Sequence, residues 1–379
     1  METLAVRSYD VGSLPFPGDY GRLLEGARRY LHQPKDPIAK YFEDWVVKAL
    51  IDKARAGIDI PNFPQFRDMN EMFLEMMEGV ERVNGGYVEV APPTLKGVGV
   101  IPEVQAILNS GSLIHERLGT PIQLKVCITG PYTLASLFAY RDSQIFIRLG
   151  RVLSRIVEKN VTANKHCRVG MISLDEPVFG TFDDPLIDFG SEGRESLLKA
   201  WERIFQAARS RGAETCLHLH STVNQLFWEV KPLQVIESHV EDPIYQAGET
   251  KRLLEERDKF LKASICLTNF DEIIQKFILS HGVSVEKLSM GERVAEIWKA
   301  IRRGSMDPNT LLEDVESMHK RLVGLINRFG PERIPYAGPE CGLRSFPTYE
   351  CALECLSRVS RAVRLVREEK KPSGWEGRV

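Results

Sequence analysis

Along the chain, short runs dense in Val, Ile and Leu alternate with longer stretches in which apolar residues return every three or four positions. The first kind reads as buried strands and the second as amphipathic helices. The clearest strand runs are IQLKVCITG (residues 122–130), VGMISLDEP (169–177), ETCLHLH (214–220), SHVED (238–242), KASICLTN (262–269) and RIPYAGPEC (333–341). Between them lie stretches such as SLLKAWERIFQAARSRG (196–212), of helical period and closed by a glycine. Repeated alternation of this kind predicts a parallel sheet. Upstream, EDWVVKALIDKARAGIDI (43–60) reads as a helix passing through Gly57 into a strand, YVEVAPP (87–93) as a short extended piece, and RSYDVGSLP (7–15) as an opening strand. Eight or nine strand candidates result, and eight suits a closed barrel. The expectation is an α/β chain folded as a single (β/α)8 barrel with an N-terminal extension and insertions, over residues 1–365, then a polar tail at 366–379. The Met-rich stretch DMNEMFLEMMEG (68–79) reads as a helix that packs its methionines into the core.

Charge narrows the function classes. Fifty Lys+Arg against 52 Asp+Glu leave a net charge of −2, which supplies no electrostatic drive toward nucleic acid or an acidic membrane surface. Nowhere do about 18 uncharged apolar residues run together, and the first residues contain no apolar signal core, so a cytoplasmic protein without membrane or nucleic-acid partners is expected. Seven cysteines, an odd number spread over a long chain, fit thiols or metal ligands better than a disulfide framework.

The residues able to do chemistry collect at the C-terminal ends of the strand runs, where α/β barrels place their active sites. In HLH, His218 and His220 stand two apart on a strand and so share a face, from which both imidazoles can reach one metal ion. Taken alone, such a pair is as compatible with polar packing. Its company changes that reading: Glu241 ends the next run, with Glu237 and His239 nearby, and Cys341 follows the last one in a Pro/Gly turn. Nitrogen, oxygen and sulfur donors converging from neighbouring strand ends suit a zinc site of the kind that keeps one position exchangeable. In LDEP, Asp175 and Glu176 either face the pocket, to bind a substrate ammonium or act as acid/base, or cap a helix. ITGP (128–131) shapes a strand-to-helix turn. Near the start, Gly12 and Ser13 offer backbone N–H groups and a hydroxyl to a carboxylate.

In order, VGSLP, RDMNEMF, TGPYTL, LDEP, HLH, an acidic strand end and PECGL resemble the catalytic half of cobalamin-independent methionine synthase, and the length resembles the short "core" enzymes of that family. The resemblance runs from Val11 to about Ser360. It implies a TIM barrel related to uroporphyrinogen decarboxylase, in which zinc activates the thiol of homocysteine. Carried over, the family's His-x-Cys falls on His218 and His220, its ligand glutamate on Glu241 and its last ligand cysteine on Cys341. Val11, Gly12 and Ser13 fall on the motif for the substrate carboxylate, and Asp175 on the aspartate for its ammonium. Gln65 stands near where the family has a further acidic group. The chain departs from the pattern at His220, where the family has cysteine, at Gln65, and at the proton-donor histidine, for which His239 or His281 would have to stand in.

The resemblance and the ligands together predict a zinc-dependent methyl or alkyl transferase acting on a small thiol, first of all homocysteine to methionine with a corrinoid protein, not folate, as methyl donor. Transfer involving coenzyme M is the alternative within the superfamily: its sulfonate would call for Arg67 or Arg344 in the pocket, whereas an amino-acid thiol calls for Asp175 there. A metal-free decarboxylase of the uroporphyrinogen type, or a non-catalytic barrel, are the remaining readings.

Overall fold

The computed structural model describes residues 6–280 and 289–369. Among the described residues the nine strands are β1 (Arg7–Ser8), β2 (Met77–Val83), β3 (Gly86–Leu95), β4 (Ile122–Thr129), β5 (Cys167–Glu176), β6 (Glu214–Leu219), β7 (Val235–Glu237), β8 (Phe260–Cys266) and β9 (Tyr336–Pro339). Seven of them form one parallel sheet in the order β1-β9-β8-β7-β6-β5-β4. The edges, β1 and β4, are joined by residues 60–65, which pair in parallel with both through single bridges, Tyr9 with Ile60, Ser13 with Gln65 and Asn62 with Lys125. The sheet thus curls into a TIM-barrel-like ring whose eighth member is an irregular segment. β4 and β5 are buried almost throughout, so they read as continuous apolar runs instead of alternating ones.

The helices follow local rules. Asp36 accepts the N–H groups of Ile38 and Ala39 ahead of Pro37–Arg55, with proline in the first turn, and Ser191 caps Glu192–Arg209. Gly57, with φ of +95°, ends the first of these and turns the chain toward the closing segment.

Four elements differ from the pattern reading. The strand expected at 238–242 lies earlier, at β7. YVEVAPP belongs to β3, which pairs antiparallel with β2 outside the main sheet. The Met-rich helix is a single turn, Glu71–Leu74, because Gly79 takes φ of +82° and β2 begins at Met77; Met72 and Met77 are still buried. The last helix, Tyr349–Glu369, extends into the segment expected as a tail and buries Val366. Residues 370–379 and His281 lie outside the described residues.

Candidate metal centre

Register assembles the cluster. β6 and β7 pair His218 with Glu237, so the residue two beyond each, His220 and His239, leaves the sheet at the same level. Their rings lie 4.2 Å apart between centroids and are tilted by 43°, with the His218 ring 5.3 Å from that of His220. Cys341, just past the end of β9, brings its Sγ to 3.4 Å from His220 Nε2. One ligand atom from each of His218, His220, His239 and Cys341 lies within 4.8 Å of the others.

The turn carrying Cys341 is held from both sides. Glu340 is buried and accepts the N–H of Val240 and of Thr268, each at 2.9 Å, which ties it to the segments following β7 and β8. Gly342 is required by the neighbour it meets: a Cβ there would stand 2.0 Å from Ser13 Oγ. Leu343 N donates to Ser13 O at 2.9 Å, so the VGS motif is built against the cysteine turn.

The donors suit a metal ion chemically. Burial raises the Cys341 thiol, but the three surrounding imidazoles overcome that and hold it well below its ordinary value, as the thiolate that ligates metals. Burial likewise works against a charge on His218, yet Cys341 and Glu237 carry its pKa up to about 10, while burial pulls His220 down. His218 Nε2 and His239 Nε2 are buried without any hydrogen-bond partner, a loss of about 1–3 kcal/mol for each such atom unless a ligand takes it up. Two orphaned imidazole nitrogens beside a thiolate fit zinc or a similar borderline-soft ion.

Around this cluster the structure gathers most of the expected substrate residues. Val11 is buried, Gly12 takes φ of +144° with Asn62 where a Cβ would be, and Gln65 N donates to Gly12 O at 3.2 Å. Gln65 itself is buried, its Nε2 3.4 Å from Met72 Sδ. Asp175 pairs with His218 across β5 and β6, receives the Ser173 hydroxyl at 3.0 Å, and is pushed up to about 6 by burial.

Other expectations are corrected. Glu241 is not with the cluster: its side chain is 74% exposed and 3.3 Å from Lys276 Nζ, because β7 ends at Glu237 and a turn, Asp242 N to His239 O, carries Glu241 outward. His239, expected as a stand-in proton donor, lies in the cluster instead. Glu176 does not face the pocket. Its carboxylate accepts Tyr132 N at 3.0 Å, Thr133 N at 2.6 Å and Trp201 Nε1 at 2.8 Å, capping the short helix Pro131–Ala135. Neither arginine offered to a sulfonate serves one: Arg67 is bound bidentately to Glu103, at 2.7 and 2.8 Å, and Arg344 is exposed.

The pattern reading missed a buried ionic group beneath the cluster. The Glu237 carboxylate lies 3.4 Å from Lys125 Nζ and 3.1 Å from Lys262 Nζ, accepts the Tyr9 hydroxyl at 2.7 Å, and stands 3.2 Å from His218 Nδ1 in a contact not aligned as a hydrogen bond. The signal was present as single lysines inside apolar runs, IQLKVCIT and FLKASIC.

No family model matches the chain. A methionine synthase of Sulfolobus acidocaldarius is 22% identical over 353 residues, covering 90% of this chain and 86% of that protein. One from Methanocaldococcus jannaschii is 32% identical over 146 residues, 36% of this chain and 42% of the other. Among solved structures, a B12-independent methionine synthase from Shewanella sp. W3-18-1, in complex with selenomethionine, shares the fold with a TM-score of 0.61 at 15% identity, over 96% of this chain and 98% of that one. Among the described residues, no helix is long and apolar enough to cross a membrane.

Proposed function

From its kinship with the core methionine synthases, we propose that the protein is a zinc-dependent methyltransferase that methylates the thiol of homocysteine. The observation that carries this reading is the convergence of three imidazoles and one thiolate beside Ser13 and Asp175. His218, His220, His239 and Cys341 would hold the ion. Zinc, when bound, supplies the Lewis acidity that keeps a substrate thiol deprotonated near neutral pH.

The chain's own groups then have separate tasks. Asp175 receives the ammonium of the amino-acid substrate, its position in the buried wall removing competition from water. The backbone and hydroxyl at Gly12 and Ser13 receive the carboxylate, close to the turn that carries Cys341. The family's set of one histidine, two thiolates and a glutamate carries three negative charges; the set here carries one. That leaves the centre two units more positive, which favours ionisation of a thiol and makes the resulting sulfur a weaker nucleophile. With Arg67 engaged by Glu103 and Arg344 exposed, the pocket favours an ammonium over a sulfonate, and so homocysteine over coenzyme M. The corrinoid protein expected as donor gains no support from the relatives, and the proposal commits to the thiol alone.

Metal analysis tests the reading. Protein purified under zinc-replete conditions should carry one zinc per chain, and homocysteine should raise its thermal stability only when zinc is present. Absence of stoichiometric zinc in the wild type, with no loss on Cys341→Ala, would overturn it.

A further inference from the structure

Glu237 sits at the centre of the barrel with every oxygen engaged. Oε2 takes the Tyr9 hydroxyl at 2.7 Å and lies 3.1 Å from Lys262 Nζ; Oε1 lies 3.4 Å from Lys125 Nζ and 3.2 Å from His218 Nδ1. All these side chains are buried, with Glu237, Lys125 and Lys262 at 0% exposure. Both lysines also stand over the ring of Tyr9, at 4.5 and 5.5 Å from its centroid. Lys262 is anchored again on the last strand through the carbonyl of Pro339, two residues before Cys341. Three strands therefore converge on one carboxylate that cannot leave without stranding two buried ammonium groups.

From this arrangement we infer that Glu237 is a positioning residue for the metal centre: clamped by Lys125, Lys262 and Tyr9, its carboxylate holds Nδ1 of His218 and leaves Nε2 to the metal. The geometry carries the argument. Neither buried nitrogen of His218 has an aligned hydrogen bond; Nδ1 lies 3.2 Å from Glu237 Oε1 across the β6–β7 register, which leaves Nε2 as the nitrogen available to an ion. A carboxylate on the remote nitrogen of a ligating histidine fixes its tautomer and orientation and raises its basicity. In a donor set with a single thiolate this carboxylate also offsets part of the ion's charge from one layer behind. Lys125 and Lys262 set the extent of that offset. This inference rests on the metal reading above, and it assigns the acidic group of the centre to a supporting layer, outside the ligand set.

The test compares wild type, Glu237→Gln and Tyr9→Phe. Zinc affinity is measured by competition with a chromophoric chelator, the visible spectrum is recorded after Co(II) substitution, and thermal unfolding of the metal-free proteins controls for folding. For Glu237→Gln the expectation is zinc binding weaker by about 10- to 100-fold with the wild-type Co(II) band pattern. Tyr9→Phe keeps the carboxylate and its lysines, and should weaken zinc binding by about 3- to 10-fold, again with unchanged bands. An unchanged affinity in folded Glu237→Gln, or a Co(II) spectrum showing the loss of a ligand, overturns the positioning role. If Glu237→Gln does not fold, Tyr9→Phe decides: zinc affinity equal to wild type overturns the inference. A wild type that binds no zinc takes down the metal reading itself, and this inference with it.

Discussion

Gly130 and Glu176 occupy one site between them: a Cβ on Gly130 would lie 2.1 Å from Glu176 Cδ. The glycine of the TGP turn is thus the space into which the DEP carboxylate reaches to cap the next helix. Two motifs 46 residues apart in the chain are one structural device. Gly130 has no need of a left-handed backbone, so the demand is for room alone.

Gly130→Ala should therefore destabilise the fold, by about 1–3 kcal/mol, through overpacking and displacement of the carboxylate from Tyr132 N, Thr133 N and Trp201 Nε1. Urea unfolding checks this. A stability equal to wild type would show that the turn has slack.

Glu176 also sets a pH dependence. Burial, working against its hydrogen-bond donors, raises its pKa to about 7. A carboxyl raised on folding contributes stability that is fully present below its unfolded value and lost as pH rises through the folded one. Relative to Glu176→Gln, which cannot ionise, the wild type should lose stability between about pH 4.5 and pH 7, by an amount on the order of 3 kcal/mol. Thermal melts of the two proteins across that window read the difference, and parallel curves would refute it.

The ligand set can be dissected by two neighbours. His239→Ala should weaken zinc binding by more than about 100-fold, a larger loss than removing a supporting residue. Glu241→Ala, which removes only an exposed ion pair, should leave it within about 2-fold. Chelator competition distinguishes them, and the reverse order would restore Glu241 as the acidic ligand.

Asp175→Asn addresses the substrate. It should raise the KM for homocysteine by about 10- to 100-fold, the loss of a buried charge-assisted hydrogen bond, with zinc content unchanged. The analogue lacking the amino group should respond equally in both proteins. A loss that is the same for the two thiols would remove Asp175 from ammonium binding.

The sequence announces His218, His220 and Cys341 because period two on a strand and a Pro/Gly turn are local signals. It places the acidic ligand at Glu241 because the run SHVED looks like a strand, whereas pairing stops at Glu237 and the chain turns away. A strand of three residues has too little period to fix its own end. The barrel's closing segment is hidden for a different reason. Asn62 N bonds to Asp10 Oδ1 at 2.8 Å, and Lys53 Nζ bonds to Asp10, Gly12 O and Asn62 O, so buried side chains replace part of a ladder there and no alternation results. The lysines around Glu237 escape notice because a charge inside an apolar run gains meaning only from partners on other strands.

Glu340 gives the rim of the barrel a mechanical character. Because one carboxylate is shared by Val240 N and Thr268 N, and its own N–H is given to Cys266 O at 2.9 Å, the Cys341 turn and the crests after β7 and β8 are yoked as a single piece. Moving the Cys341 turn would therefore stretch hydrogen bonds to both crests together.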